Sequence, residues 1–133
     1  MLSIALEALS LSRTGDREGA VALLLSARDN GPLDEPATSL LFTLLGDRGE
    51  DVDDHALRVE LCDHALTLVA RPMQRSTWHL RRGLLYVERR EGARALVDLQ
   101  RVLSLKACDD HLDQARAALL QVAALSPKKG PRR

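Results

Sequence analysis

Two short stretches place a cysteine, acids and a histidine close together: Cys62-Asp63-His64 and Cys108-Asp109-Asp110-His111. Thiolate, imidazole and carboxylate are zinc ligands, so a metal site is the first chemistry to weigh. The spacing argues against it. Residues two apart on a helix do not face one another, and neither stretch has a recognised ligand pattern. The other two histidines, His55 and His79, have no cysteine beside them. Asp53-Asp54 and Asp109-Asp110 are paired acids, but such pairs before an apolar run serve as helix caps. No serine or cysteine lies in a nucleophile-elbow or signature segment, and Gly15 with Gly19 is turn chemistry, not a phosphate loop. The expectation is a non-catalytic protein without metal or cofactor.

Charge placement says more. The chain has 133 residues and a formal net charge of zero, which gives no global electrostatic case for nucleic acid or a membrane surface. Yet residues 47–63 hold seven acids against Arg48 and Arg58, a net −5. Residues 71–101 hold eight arginines against Glu88, Glu91 and Asp98, a net +5. Solvated helix faces with weak local ion pairs explain this pattern; so does a polarised surface that orients a charged partner or a second copy of the chain.

The elements that carry these residues read as helices. There are 27 leucines and 17 alanines, and one each of Phe, Tyr and Trp. That composition favours helix on helix. No apolar run reaches the roughly 20 residues of a membrane span. The N-terminus lacks a basic lead and carries Glu7 inside its apolar pattern, unlike a secretory signal. Two isolated cysteines suit buried apolar positions in a reducing, cytoplasmic setting; their pairing as a disulfide is the minor alternative.

Seven helices are expected from apolar spacings of three and four. The first covers Ser3 to Arg13, the second about Arg17 to Asp29 behind Asp16 as cap. The third starts near Asp34-Glu35-Pro36, and the polar stretch from Gly46 to Asp53 ends it. Asp53 or Asp54 caps the fourth, which stops at Ala70-Arg71-Pro72. Ser76 reads as the cap of the fifth, to about Arg89. The sixth runs from about Glu91 to Lys106, and Asp109 or Asp110 caps the seventh. Within Trp78 to Leu105, Gly83 and Ala95 are small residues on facing helices, where two backbones can approach closely. The expected domain is 1–126, with 127–133 a basic tail without apolar residues.

Helix pairs recur at a near-constant step. Ala8, Gly46 and Gly83 are 38 and 37 residues apart, and so are Ala27, Ala65 and Val102. Two markers with one step argue for three copies of a helical hairpin, closed by the seventh helix.

In this pattern the chain resembles the tetratricopeptide repeat (TPR) family, whose unit is about 34 residues of helix–turn–helix. Ala20, Ala27 and Pro32 fall at the family's spacing in the first copy. Gly83, Tyr86, Ala95 and Leu99 follow its small, aromatic, Ala and large-apolar order in the third, with Trp78 one residue ahead of the family's Trp position at His79. In the second copy Phe42, Leu45, Gly46 and Ala65 fit, but Arg58 stands where the family has Ala.

The resemblance implies an all-α solenoid of three TPR-like hairpins plus a C-terminal capping helix. It also implies an adaptor that holds a helix or peptide of a partner protein in a concave groove lined by the first helix of each pair. Those positions are Leu2, Ala5 and Leu9; Leu40, Thr43 and Leu44; and Leu80, Arg81, Leu84 and Val87. They are mostly apolar, which suits an amphipathic helix or an extended apolar peptide; packing of these leucines on the seventh helix or on each other explains them equally well. A small chaperone or secretion adaptor, a homodimer, and a detached domain of a larger protein are the alternatives. The basic tail is the single feature that points toward nucleic acid.

Overall fold

Every element is a helix, and most begin where a side chain can satisfy the open backbone N–H groups of a first turn. The computed structural model describes residues 3–48 and 53–125, and among them there are seven α-helices and no strand. Helix α1 spans Ile4–Arg13, with Ser3 Oγ accepting from Leu6 N at 3.1 Å. Helix α2 spans Arg17–Asp29, with Asp16 Oδ1 accepting from Gly19 N at 2.8 Å. A Cβ at Gly19 would stand 2.1 Å from the Asp16 carboxylate, so a larger residue there would shift the capping side chain. Helix α3 spans Glu35–Gly46 behind Asp34, which accepts from Ala37 N at 3.0 Å; Pro36 occupies its first turn.

Helix α4 spans His55–Leu68, and Asp53 Oδ1 accepts from His55 N at 3.2 Å. Helices α5, α6 and α7 span Pro72–Glu88, Gly92–Leu105 and Asp109–Leu125. Two starts differ from the sequence expectation. Helix α5 begins a full turn before Ser76, at Pro72, whose missing N–H costs nothing at a first helical position. Ser76 is instead an interior residue with no exposed surface. At α7 neither acid is the cap: both lie in the first turn, where they favour the positive end of the helix dipole. Cys108 takes the cap position, its Sγ 3.4 Å from His111 N. The end of α4 at Leu68 also falls two residues short of expectation.

The chain forms two compact units, Met1–Leu68 and Val69–Arg133. In the first, α1 packs on α2, α3 packs on both, and α4 packs on α3. Its interior includes Ala8, Ala20, Leu24, Leu41, Leu61, Cys62 and Ala65, none more than 1% exposed. Arg58 fits this interior through three contacts. Its guanidinium lies 4.2 Å from the Phe42 ring centroid. Its Nε donates to the Phe42 carbonyl at 3.3 Å. A Cβ at Gly46 would stand 2.6 Å from its Nη2, so the bare glycine makes room for the arginine. The ion pair Arg48–Asp54, 3.4 Å between Nε and Oδ2, ties the two sides of the connection after α3. Residues 49–52 of that connection lie outside the described residues.

In the second unit α5 packs on α6, and α7 packs on both. Leu80, Ala95, Leu99, Val102, Ala115, Ala118 and Val122 form its core, with Leu84, Tyr86, Val87, Leu103 and Leu119 half-buried against it. Gly83 and Ala95 are both buried. A Cβ on Gly83 would lie 2.9 Å from Leu99 Cδ2 and 3.3 Å from Asp98 Cβ. The close approach of α5 and α6 therefore depends on that glycine. Arg90 and Lys106 take left-handed conformations (φ 59° and 49°) where α5 and α6 end.

Candidate functional site

Within each cysteine–histidine stretch the side chains take different surroundings. In the first unit Cys62 is fully buried and Asp63 exposed. His64 Nε2 lies 2.7 Å from the Leu33 carbonyl, so this nitrogen carries the proton and donates. In the second unit His111 Nδ1 lies 2.8 Å from Ser76 Oγ. Both cysteines are free thiols. Among the described residues no group of three or more His, Cys, Asp and Glu side chains converges on a metal-sized position.

The positions expected to line a groove divide by burial. In the first unit Thr43 is exposed, Ala5, Leu9 and Leu40 are half-buried, and Leu44 is 4% exposed. In the second unit Leu80 is 5% exposed and belongs to the core, while Leu84 and Val87 pack against that core with part of their surface open. Arg81 is half-buried, its guanidinium 4.5 Å from the Trp78 ring centroid. Leu2 and the tail 127–133 fall outside the described residues. Leu44 and Leu80 thus serve packing of the helices, and of the expected positions those left with open surface are Thr43, Arg81 and parts of Ala5, Leu9, Leu40, Leu84 and Val87.

The strongest polar constellation was not singled out from the sequence. Asp98, 2% exposed, sits inside the apolar stripe of α6 between Ala95 and Val102. Its Oδ1 is 2.9 Å from His79 Nδ1, and Arg82 grips both carboxylate oxygens, Nη2 to Oδ1 at 2.7 Å and Nε to Oδ2 at 2.8 Å. Burial pushes the Asp98 carboxyl up. The hydrogen bonds and positive charges of His79 and Arg82 outweigh that effect and hold it below its ordinary value of 3.8. An ionised carboxylate only accepts, so His79 donates through Nδ1.

An aspartate orienting a histidine is half of a catalytic triad. Here the other nitrogen, Nε2, is enclosed and has no hydrogen-bond partner among the described residues. The arrangement links α5 to α6. The readable signal in the sequence was register: 95, 98, 99 and 102 are one helical face, so Asp98 had to be buried and paired.

The described surface includes two small hollows. One of about 220 Å³ in the first unit is lined by Arg28, Pro32, Leu33, Leu61 and His64. Another of about 270 Å³ lies on α6 between Val97, Gln100, Arg101 and Ser104. Compared with known protein families, characterised proteins and solved structures, the chain matches none. No helix among the described residues is long and apolar enough to cross a membrane.

Proposed function

We propose that this protein is a non-catalytic adaptor of stacked helical hairpins, similar to TPR proteins, which binds a helix or extended peptide of a partner protein along the first helices of its pairs. One observation carries the reading. In both units the helix that follows a pair packs on both members of it, α3 on α1 and α2, and α7 on α5 and α6. That is how hairpins stack when each covers the apolar flank of the one before.

Burial at the repeat step supports it. Leu24, Cys62 and Leu99 are 38 and 37 residues apart and have no exposed surface. Within each unit the first helices keep partly open apolar residues, beside Thr43 in the first and beside Arg81 in the second; such faces suit an amphipathic segment, whose acidic residues Arg81 would meet.

Affinity purification from the native host identifies the partner, and titration of purified Thr43→Glu and Arg81→Glu variants against it tests the surface. Each substitution should weaken binding about tenfold or more, the loss of one well-placed interface contact. Unchanged affinity in both variants, with folding intact, contradicts the reading.

A further inference from the structure

Helix α7 orders charge and apolar surface along one face. Ala115, Ala118 and Val122 are buried in the core of the second unit. The opposite face carries Asp109, Asp113, Ala117, Leu120 and Ala124, spaced three or four apart and all exposed. Leu120, at 76%, is the most exposed large apolar side chain among the described residues. The acids and the arginine of α7 (Asp109, Asp110, Asp113 and Arg116) lie in its first half, and Ala117 to Leu125 carries no charge. Asp113 lies 3.6 Å from Arg116, but the two side chains stay 76% and 64% exposed, so this weak pair leaves the carboxylate open to a second cation. The sequence that continues from α7 is basic, with Lys128, Lys129, Arg132 and Arg133. The order along the chain is acidic, apolar, basic, which is its own complement when two copies run antiparallel.

We infer that the outer face of α7 is a homodimer surface and that its occupant is the same face of a second copy, antiparallel across a two-fold axis beside Leu120. In that register Ala117 meets Ala124 of the other copy, and the two Leu120 side chains lose water against each other. Asp113 then lies about 5 Å along the axis beyond the end of the other α7, and Asp109 about 10 Å beyond it, at a rise of about 1.5 Å per residue. Lys128 follows Leu125 by three residues and Arg132 by seven, enough chain to span those gaps. The register that buries the apolar residues therefore also brings the acids of each copy to the basic segment of the other. This goes beyond the adaptor reading, which uses the first helices and a different protein. The contact is one helix wide, so the dimer is weak, and its charged ends make it sensitive to salt.

Sedimentation equilibrium of the full chain at rising concentration reads the association directly. At low ionic strength the mass should climb from the 14.6 kDa of one copy toward twice that and no further, and high salt should lower it. Leu120→Glu, at an exposed position, should weaken pairing at least about tenfold. Two charge variants should do the same: Asp109→Lys/Asp113→Lys, and the tail variant Lys128→Glu/Lys129→Glu/Arg132→Glu/Arg133→Glu, with circular dichroism confirming that each keeps its helices. Mixed in equal amounts, these two should pair with each other although neither pairs with itself, and Leu120→Glu added to both should abolish the mixed pair. A wild-type mass of one copy at every concentration overturns the inference and needs no variant. So does association indifferent to Leu120→Glu, or a mixture of the charge variants that stays single. A wild-type chain that stays single yet binds duplex DNA through Lys128 and Lys129 would give the basic segment a different occupant, and equally overturns it.

Discussion

Asp98 and His79 meet across the α5–α6 contact at 2.9 Å, both nearly excluded from water, with Arg82 closing the other side of the carboxylate. Removing the shared acceptor strands two donors at once. Asp98→Ala should therefore destabilise the second unit by about 2–4 kcal/mol, toward the lower side of a broken buried ion pair because Arg82 can turn to solvent. Replacing both ends with apolar groups, His79→Leu/Asp98→Leu, should cost markedly less than the sum of the single changes. Urea unfolding of wild type, Asp98→Ala, the two single leucine variants and the double variant measures these differences.

The same carboxylate gives the stability a pH dependence of known sign. Its pKa is lowered in the folded chain, so its contribution is fully present above the unfolded value of about 4 and is lost as pH falls through the folded value. Wild type should lose stability steeply below about pH 4. Asp98→Asn should start lower at neutral pH and show a shallower decline. Urea midpoints of both proteins between neutral and acid pH would show parallel curves if Asp98 did not contribute.

Much of this architecture could be read in the sequence, and what could not has identifiable causes. Asp16 and Asp34 announced α2 and α3 because an acid before an apolar run has one ready use, capping. Ser76 misled for the same reason: it looks like a cap, but Arg71-Pro72 already supplies an extended residue followed by proline, and the hydroxyl went to His111. Asp98 escaped notice because charge was counted by segment, not by helical face. The inner positions were the least legible. Leu44 and Leu80 have the spacing of a binding surface and of a packing surface alike, and tertiary packing took them.

Gly83 sets how near α5 lies to α6. Gly83→Ala gains about 1 kcal/mol of helix propensity but drives a methyl to within 2.9 Å of Leu99. The steric loss should exceed the gain, for a net destabilisation of about 1 kcal/mol, and Gly83→Leu should lose several times more. Thermal unfolding of the two variants checks this ordering; an alanine variant more stable than wild type would show that the helices can part without cost.

Burial within α6 predicts a sharp contrast between neighbouring residues. Leu99 has no exposed surface while Val97 is 68% exposed. Leu99→Ala should cost about 2–5 kcal/mol through lost transfer energy and the cavity left behind. Val97→Ala should change stability by less than about 0.5 kcal/mol. Chemical denaturation of both variants separates them clearly, and similar losses would mean the α6 face is assigned wrongly.

Hydrogen exchange of the protein with and without its purified partner tests the adaptor reading most directly. Protection on binding should concentrate in the first helices, around Thr43 in α3 and Arg81 to Val87 in α5, and leave α2 and α4 unchanged. A footprint confined to the second helices, or to the basic tail, would contradict it.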